Sequence, residues 1–184
     1  MRKLICVPLL LVAACLCAGV YGAIHNQISY TVAPEYFTQF KFHQFHISPI
    51  IPDRLGAACV GWSAAWWMGI VIGVVLIPFG LLIPGTVNYI RGMLMVFGVV
   101  ALTALIVGII ALTFAFLLIQ PSNTPELIVY GNDIQDDAAF ARAGTMHNFS
   151  YLGGLLGILT GAVMIFRLRR RSGTPHLPVS ADER

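Results

Sequence analysis

AACVGWSAAWWMGIVIGVVLIPFGLLIPG, residues 57–85, contains no charged side chain. A helix rises about 1.5 Å per residue, so this stretch is long enough to cross a bilayer core of roughly 30 Å. It reads as a transmembrane helix. Ala57, Gly61, Ala65, Gly69 and Gly73 recur at every fourth position. On a helix they form one strip of side chains no larger than a methyl, against which a second helix can lie close enough for dispersion to hold it. Trp62, Trp66 and Trp67 fall near one end, where amphipathic rings favour the membrane interface. Pro78 and Pro84 are expected to kink or stop the helix at the other end.

The rest of the chain has the same character. Of 184 residues, 58% are hydrophobic and only 10% charged, with a mean hydropathy of +0.81. Soluble domains carry roughly a quarter charged residues, so the composition is that of an integral membrane protein. Apolar runs at about 4–22, 57–84, 93–119 and 149–166 predict four spans, with outside loops at 23–56 and 120–148. The expected fold is all-α, an integral membrane four-helix bundle under an aromatic extracytoplasmic cap. Residues 1–168 form this membrane domain, and residues 169–184 are expected to be a basic, disordered cytoplasmic tail.

Basic residues set the orientation. Arg2, Lys3, Arg91, Arg167, Arg169, Arg170, Arg171 and Arg184 lie in segments that alternate to one side, leaving only Lys41, Arg54 and Arg142 of the eleven on the other. Both termini are therefore expected in the cytoplasm. The Arg run after the fourth span is a stop-transfer anchor that also attracts anionic lipid headgroups. Residues 1–22 begin as a signal peptide or a first span would, with a basic start and a small-residue stretch at Val20-Tyr21-Gly22. Val12-Ala13-Ala14-Cys15 is similar to a lipobox. The apolar run continues past Cys15, which favours retention as a helix. Cys6, Cys15, Cys17 and Cys59 sit in or beside apolar runs and make no disulfide framework.

Small-residue strips recur. Ala101, Ala104, Gly108, Ala111 and Ala115 are spaced by three and four in the third span, and Gly153, Gly157 and Gly161 form a GxxxGxxxG strip in the fourth. Gly61, Ala65, Gly69, Gly73, Ala104, Gly108, Gly153, Gly157 and Gly161 are thus the expected helix-packing positions. Strips on three of four helices exceed the obvious need of one bundle, which points to a homo-oligomer or a larger membrane complex.

The first outside segment is aromatic, with Tyr30, Tyr36, Phe37, Phe40, Phe42 and Phe45 close together. Ile28, Tyr30 and Val32 alternate as in a strand, whereas Pro34 and Glu35 suit a helix start. An amphipathic piece lying on the membrane is the preferred expectation. In the second outside segment Asn132 or Asp133 is expected to cap a helix that holds Asp136 and Asp137 in its first turns and runs into the fourth span, with Gly144 its weak point. The phrases HNQISYTVAPEYFTQFKFHQF at 25–45, VGWSAAWWMG at 60–69 and GTMHNFSYLGG at 144–154 resemble segments of uncharacterised bacterial multi-pass inner-membrane proteins. That resemblance implies a bacterial inner-membrane setting and no activity.

The candidate chemistry is histidine. His25, His43, His46 and His147 all fall outside, leaving His176 in the tail. His25 follows the first span and His147 precedes the fourth, so both belong at one level. His43 and His46 share a face if helical, as a Zn or Cu ion would require, and Glu35 or an acid of the second loop would complete the set. Haem fits less well because every span lacks histidine. No HExxH helix, no GxS nucleophile turn with a membrane histidine and no CxxC pair is found, and intramembrane charges of the kind that mark proton-coupled transport are absent. The expectation is a non-enzymatic assembly or binding subunit acting through its outer cap. A metal-binding or metal-dependent protein using the outside histidines is the alternative, and a small-solute permease is a third. Nucleic acid is not an expected partner.

Overall fold

The structure, a computed structural model, describes residues 2–172; residues 169–172 of the expected disordered tail are the end of a helix, and the rest of that tail, with His176, lies outside these residues. After a helical turn at Arg2–Ile5 come five long helices: α1 (Val7–Val32), α2 (Asp53–Ala65), α3 (Met68–Gly80), α4 (Thr86–Leu118) and α5 (Asp137–Ser172). The only sheet among the described residues is a two-residue hairpin pairing Ile128–Val129 with Asn132–Asp133. Its turn, Tyr130-Gly131, holds both central residues at positive φ, as a tight hairpin requires. The protein is all-α.

α1, α4 and α5 are each long and apolar enough to cross a membrane, and α2 with α3 passes the same test as a pair bent by 44°. Most of their surface is not covered by other helices. Leu102, Ile106, Ile110, Phe114 and Leu117 on α4 and Leu155 and Leu159 on α5 stand about half exposed. Apolar surface on this scale fits lipid as the solvent. All four cysteines are free.

Where helices touch, glycine decides the distance. A β-carbon added at Gly22 or Gly61 would run into the backbone of the other residue, and one at Gly69 would meet the backbone of Ala14 and Cys15. The strip that opens on Ala57 is therefore the face along which α2 and α3 lie on α1. On α5, β-carbons at Gly153 and Gly157 would come within 2.7 Å and 2.8 Å of Ala104 and Val100 of α4. Both of these strips, with Ala104 of the third, pack within one chain. Below them an inner core gathers Leu10, Leu76, Tyr89, Met93, Val96 and Ile165. Lys3 closes that end, its Nζ donating to the carbonyls of Leu81 (3.0 Å) and Ile83 in the turn after α3.

Three details depart from the sequence expectations. α1 does not stop near residue 22 but continues to Val32, so the stretch that alternates like a strand is helical. The second apolar run breaks at Trp66-Trp67 rather than at Pro78, which lies inside α3. At the break Gly69 and Ile70 donate to the carbonyls of Trp66 and Trp67 three residues back, tightening the turn. α5 starts at Asp137, after the hairpin, and passes unbroken through Gly144.

The outer cap is tied to the bundle by polar contacts. Beyond α1, Tyr36–Lys41 forms a π-helical turn whose Tyr36 and Phe37 pack with Ala57, Val60 and Ala143 in a second core. The Glu35 carboxylate accepts the backbone N–H groups of Gln135 (3.1 Å) and Asp136 (3.0 Å), one turn ahead of α5. Asp136 accepts the N–H of Ala139 at 2.9 Å and so caps that helix, where negative charge is favoured. At the end of α4, Arg142 donates twice to the Ile119 carbonyl, at 3.0 Å and 2.7 Å. Otherwise orphaned helix-end groups at this end of the molecule thus find partners.

Candidate functional site

The final turns of α1 carry His25, Asn26 and Ser29, at positions that share one helical face. All three are buried, while Ile24 between them and solvent is exposed. The polar residues point inward, and they are held there by named bonds. Asn26 Nδ2 donates to the Ala57 carbonyl of α2 at 2.9 Å. That fixes the amide with its oxygen toward His25 Nδ1, at 3.4 Å. An acceptor faces Nδ1, and the Met146 carbonyl is a second acceptor beside this ring, so the two contacts ask for the proton on different nitrogens.

His147 comes from α5 to the same place. Its ring meets His25 edge-on, with centroids 4.9 Å apart, and stacks on Tyr36 at 5.0 Å. Ser29 Oγ donates to the His25 carbonyl at 3.3 Å and lies 3.4 Å from His147 Nε2. Either partner of the Ser29–His147 contact can donate, according to the ring tautomer. Tyr21, one turn before His25, completes the cluster with its ring 5.7 Å from that imidazole. Two buried atoms here, His25 Nε2 and Tyr21 Oη, lack a hydrogen bond of good geometry, although Ser150 interacts with Tyr21 and the Met146 backbone with His25. Such groups are few in folded proteins and call for a water, ion or ligand.

Beneath the cluster lies a cavity of about 80 Å³ to which all five helices contribute. Tyr21, His25, Asn26, His147 and Ser150 line one end, and Ala14, Ile72, Phe97 and Val100 the other. From Ala14 to Asn26 it follows α1 for about 18 Å. Its middle is flanked by Ala65 and Met68, on either side of the break between α2 and α3.

The four histidines named from the sequence divide into two pairs. His25 and His147 are brought together. His43 lies exposed, 5.7 Å from the Tyr130 ring, and His46 follows the short helical turn Phe42–Gln44 with φ 52. They share no helix face, and Glu35 is spent on the start of α5. Among the described residues no group of three or more His, Cys, Asp and Glu is placed to hold a metal ion. The convergent pair offers Zn or Cu two imidazole nitrogens, short of the four ligands usual in a closed zinc site. Tyr21, Asn26 and Ser29 were not singled out as site residues from the sequence, and Tyr36 was named only as part of the aromatic cap. The signal was present in the helical spacing of 25, 26 and 29, masked because it marks a polar inward face.

Outside the cavity, Lys41 lies over the Phe40 ring at 4.2 Å, and partial burial lowers its ammonium pKa below the ordinary value. Burial raises the Tyr36 phenol well above its ordinary value. Neither lines the chamber.

No protein-family model matches the chain, and comparisons with curated proteins and with solved structures return no match. The apolar helices fit a membrane protein, and the role has to be read from the site itself.

Proposed function

We propose that the chain is a four-span integral membrane protein, both termini cytoplasmic, that binds a small molecule in the chamber under His25 and His147 and does no chemistry on it. The observation that carries this reading is a pair of buried polar atoms without a well-made hydrogen bond, His25 Nε2 and Tyr21 Oη, at the head of an otherwise apolar cavity. A bundle packed only for assembly gains nothing from them, since each unmade bond costs roughly 1–3 kcal/mol.

The four-span bundle with its aromatic outer cap rests on counting α2 and α3 as one bent span. The orientation is supported by charge. Lys3, the turn after α3, Arg91 and Arg167 to Arg171 share one end, and the Glu35 and Arg142 contacts close the other. Arg167, Arg169 and Arg170 are exposed at the cytoplasmic end, where anionic headgroups would add about 1 kcal/mol per nearby basic residue. A bacterial inner membrane as the setting rests on the sequence resemblance alone. Function as an assembly subunit through the cap loses its main support, because the glycine strips face inward. Thr103 and Thr160 bond to each other at 3.0 Å, which leaves the permease reading without that polar foothold.

The test is extraction and mass spectrometry of the purified protein against Ala101→Phe, which fills the cavity wall. A molecule present at near one per chain in the natural protein and depleted in the variant is expected. Nothing bound, or equal amounts in both, would overturn the binding reading.

A further inference from the structure

A second hollow lies apart from the chamber, at the opposite end of the bundle. It is a groove of about 360 Å³ between the start of the chain and α3, with Leu4, Val7 and Leu11 on one wall and Val74, Pro78 and Leu81 on the other. Every residue lining it is apolar, and Leu4 and Val74 at its rim are more than half exposed, so it opens toward lipid rather than into the core. It follows α3 from Gly73 to Leu81, about 12 Å.

The shape of the groove limits what can lie in it. A volume of 360 Å³ over that length leaves a cross-section of roughly 30 Å², whereas a helix about 10–12 Å across needs roughly 80 Å² or more. No helix fits. A single extended hydrocarbon chain does, and a bilayer supplies such chains at every depth of its core.

Charge at one end of the groove says what head that chain carries. Lys3 Nζ donates to the Leu81 carbonyl at 3.0 Å and to that of Ile83, which leaves the third N–H of the ammonium for another acceptor. Further cations gather around it. The Ile83 and Leu168 side chains lie 2.9 Å and 3.1 Å from where a Gly92 β-carbon would stand, so Arg91 on α4 and Arg167, Arg169 and Arg170 on α5 end beside the turn that Lys3 closes. Among the described residues every Asp and Glu falls between 35 and 53 or between 126 and 137, in or beside the outer cap. No carboxylate of theirs offsets the charge at this end.

We propose that the groove is a binding site for one anionic phospholipid, with an acyl chain lying along α3 between Val7 and Val74 and the phosphate on the third N–H of Lys3. The proposal rests on the membrane reading above and is independent of the chamber. It goes beyond the diffuse attraction of headgroups to the terminal arginines, because it names one lipid molecule, one groove and one lysine.

Native mass spectrometry of the full chain, released from detergent micelles, is titrated with phosphatidylglycerol and phosphatidylcholine carrying identical oleoyl chains, and with oleate. The first phosphatidylglycerol should bind about fivefold tighter than the first phosphatidylcholine, the worth of one basic residue at an anionic surface, and later ones without preference. Lys3→Gln should remove that preference, while Arg170→Gln, the same loss of charge at the same end, should keep it. Val74→Trp, which fills the groove from its exposed rim, should weaken the first phosphatidylglycerol about tenfold, roughly what burying two methylenes contributes. Leu94→Trp, also exposed but on α4, should change it less than about twofold. If Lys3→Gln does not fold, the two lipids and the two tryptophan variants decide. Equal binding of the two lipids, equal loss in Lys3→Gln and Arg170→Gln, equal effects of the two tryptophans, or oleate bound as tightly as phosphatidylglycerol would each overturn the proposal. Ala101→Phe should bind lipid as the natural chain does, so a failure of the chamber reading leaves this result unmoved. A chain that binds neither lipid and stays soluble without detergent would overturn the membrane reading together with this one.

Discussion

Gly61 and Gly22 face each other where α2 crosses α1, and neither can carry a β-carbon without entering the other's backbone. Gly98 on α4 is the natural control, since a β-carbon there meets nothing within 4 Å. Gly61→Ala should destabilise the protein by about 2–3 kcal/mol through overpacking. Gly98→Ala should be neutral or gain up to about 1 kcal/mol from helix propensity. Unfolding titrations in mild detergent compare the two, and an equal effect would show that the crossing is not the tight point. That Gly61 packs against something was legible from its spacing with Gly69 and Gly73. What it packs against was not, because a strip of small residues has the same sequence whether it meets its own chain or another copy. His25 shows the same limit: its level at the outer end was readable, but its contact with His147 depends on α5 returning beside α1.

The elements that resisted reading are the ones whose pattern is inverted or interrupted without a marker. α1 was expected to end near Gly22 because the residues that follow are polar, yet on its last turns those residues face the bundle and Ile24 faces out. Periodicity reports which residues alternate, not which face is inside. The break at Trp66-Trp67 has no proline to announce it. α2 must follow α1 at Gly22 and α3 must follow it at Ala14 and Cys15, and the 44° bend lets both do so. Pro78, the expected kink, sits where α3 is already ending. The π-helical turn Tyr36–Lys41 carries a pH prediction. With the Tyr36 pKa raised by burial, the folded chain keeps a proton that the unfolded chain releases above about pH 10, so this contribution to stability is present below pH 10 and is lost as pH climbs past it. Lys41, lowered by burial, acts in the opposite sense just below 10.5, where the unfolded chain binds more protons and stability rises with pH. Melting curves from pH 8 to 11 should therefore show a smaller alkaline loss for Tyr36→Phe than for the natural chain. An identical loss would place the Tyr36 hydroxyl in water.

For the molecule as a whole, the class was legible because lipid-facing chains announce themselves by composition. The charge count also predicts an orientation, and that orientation is directly testable. Ile50 is 92% exposed in the cap. In a background with the four native cysteines replaced by alanine, Ile50→Cys should react with a membrane-impermeant maleimide added to intact cells, and Arg169→Cys should react only after lysis. The reverse pattern would invert the topology. The Glu35 clamp has a further consequence for how the protein comes into being. Its partners, Gln135 and Asp136, are made a hundred residues later, and His147 later still. A nascent chain that has released only α1 to α4 holds a carboxylate without the amides it accepts from and a His25 ring without His147. The arrival of the last helix is thus the event that closes the molecule, and a chain cut short of it presents its unfinished aromatic cap to whatever protease surveys the membrane.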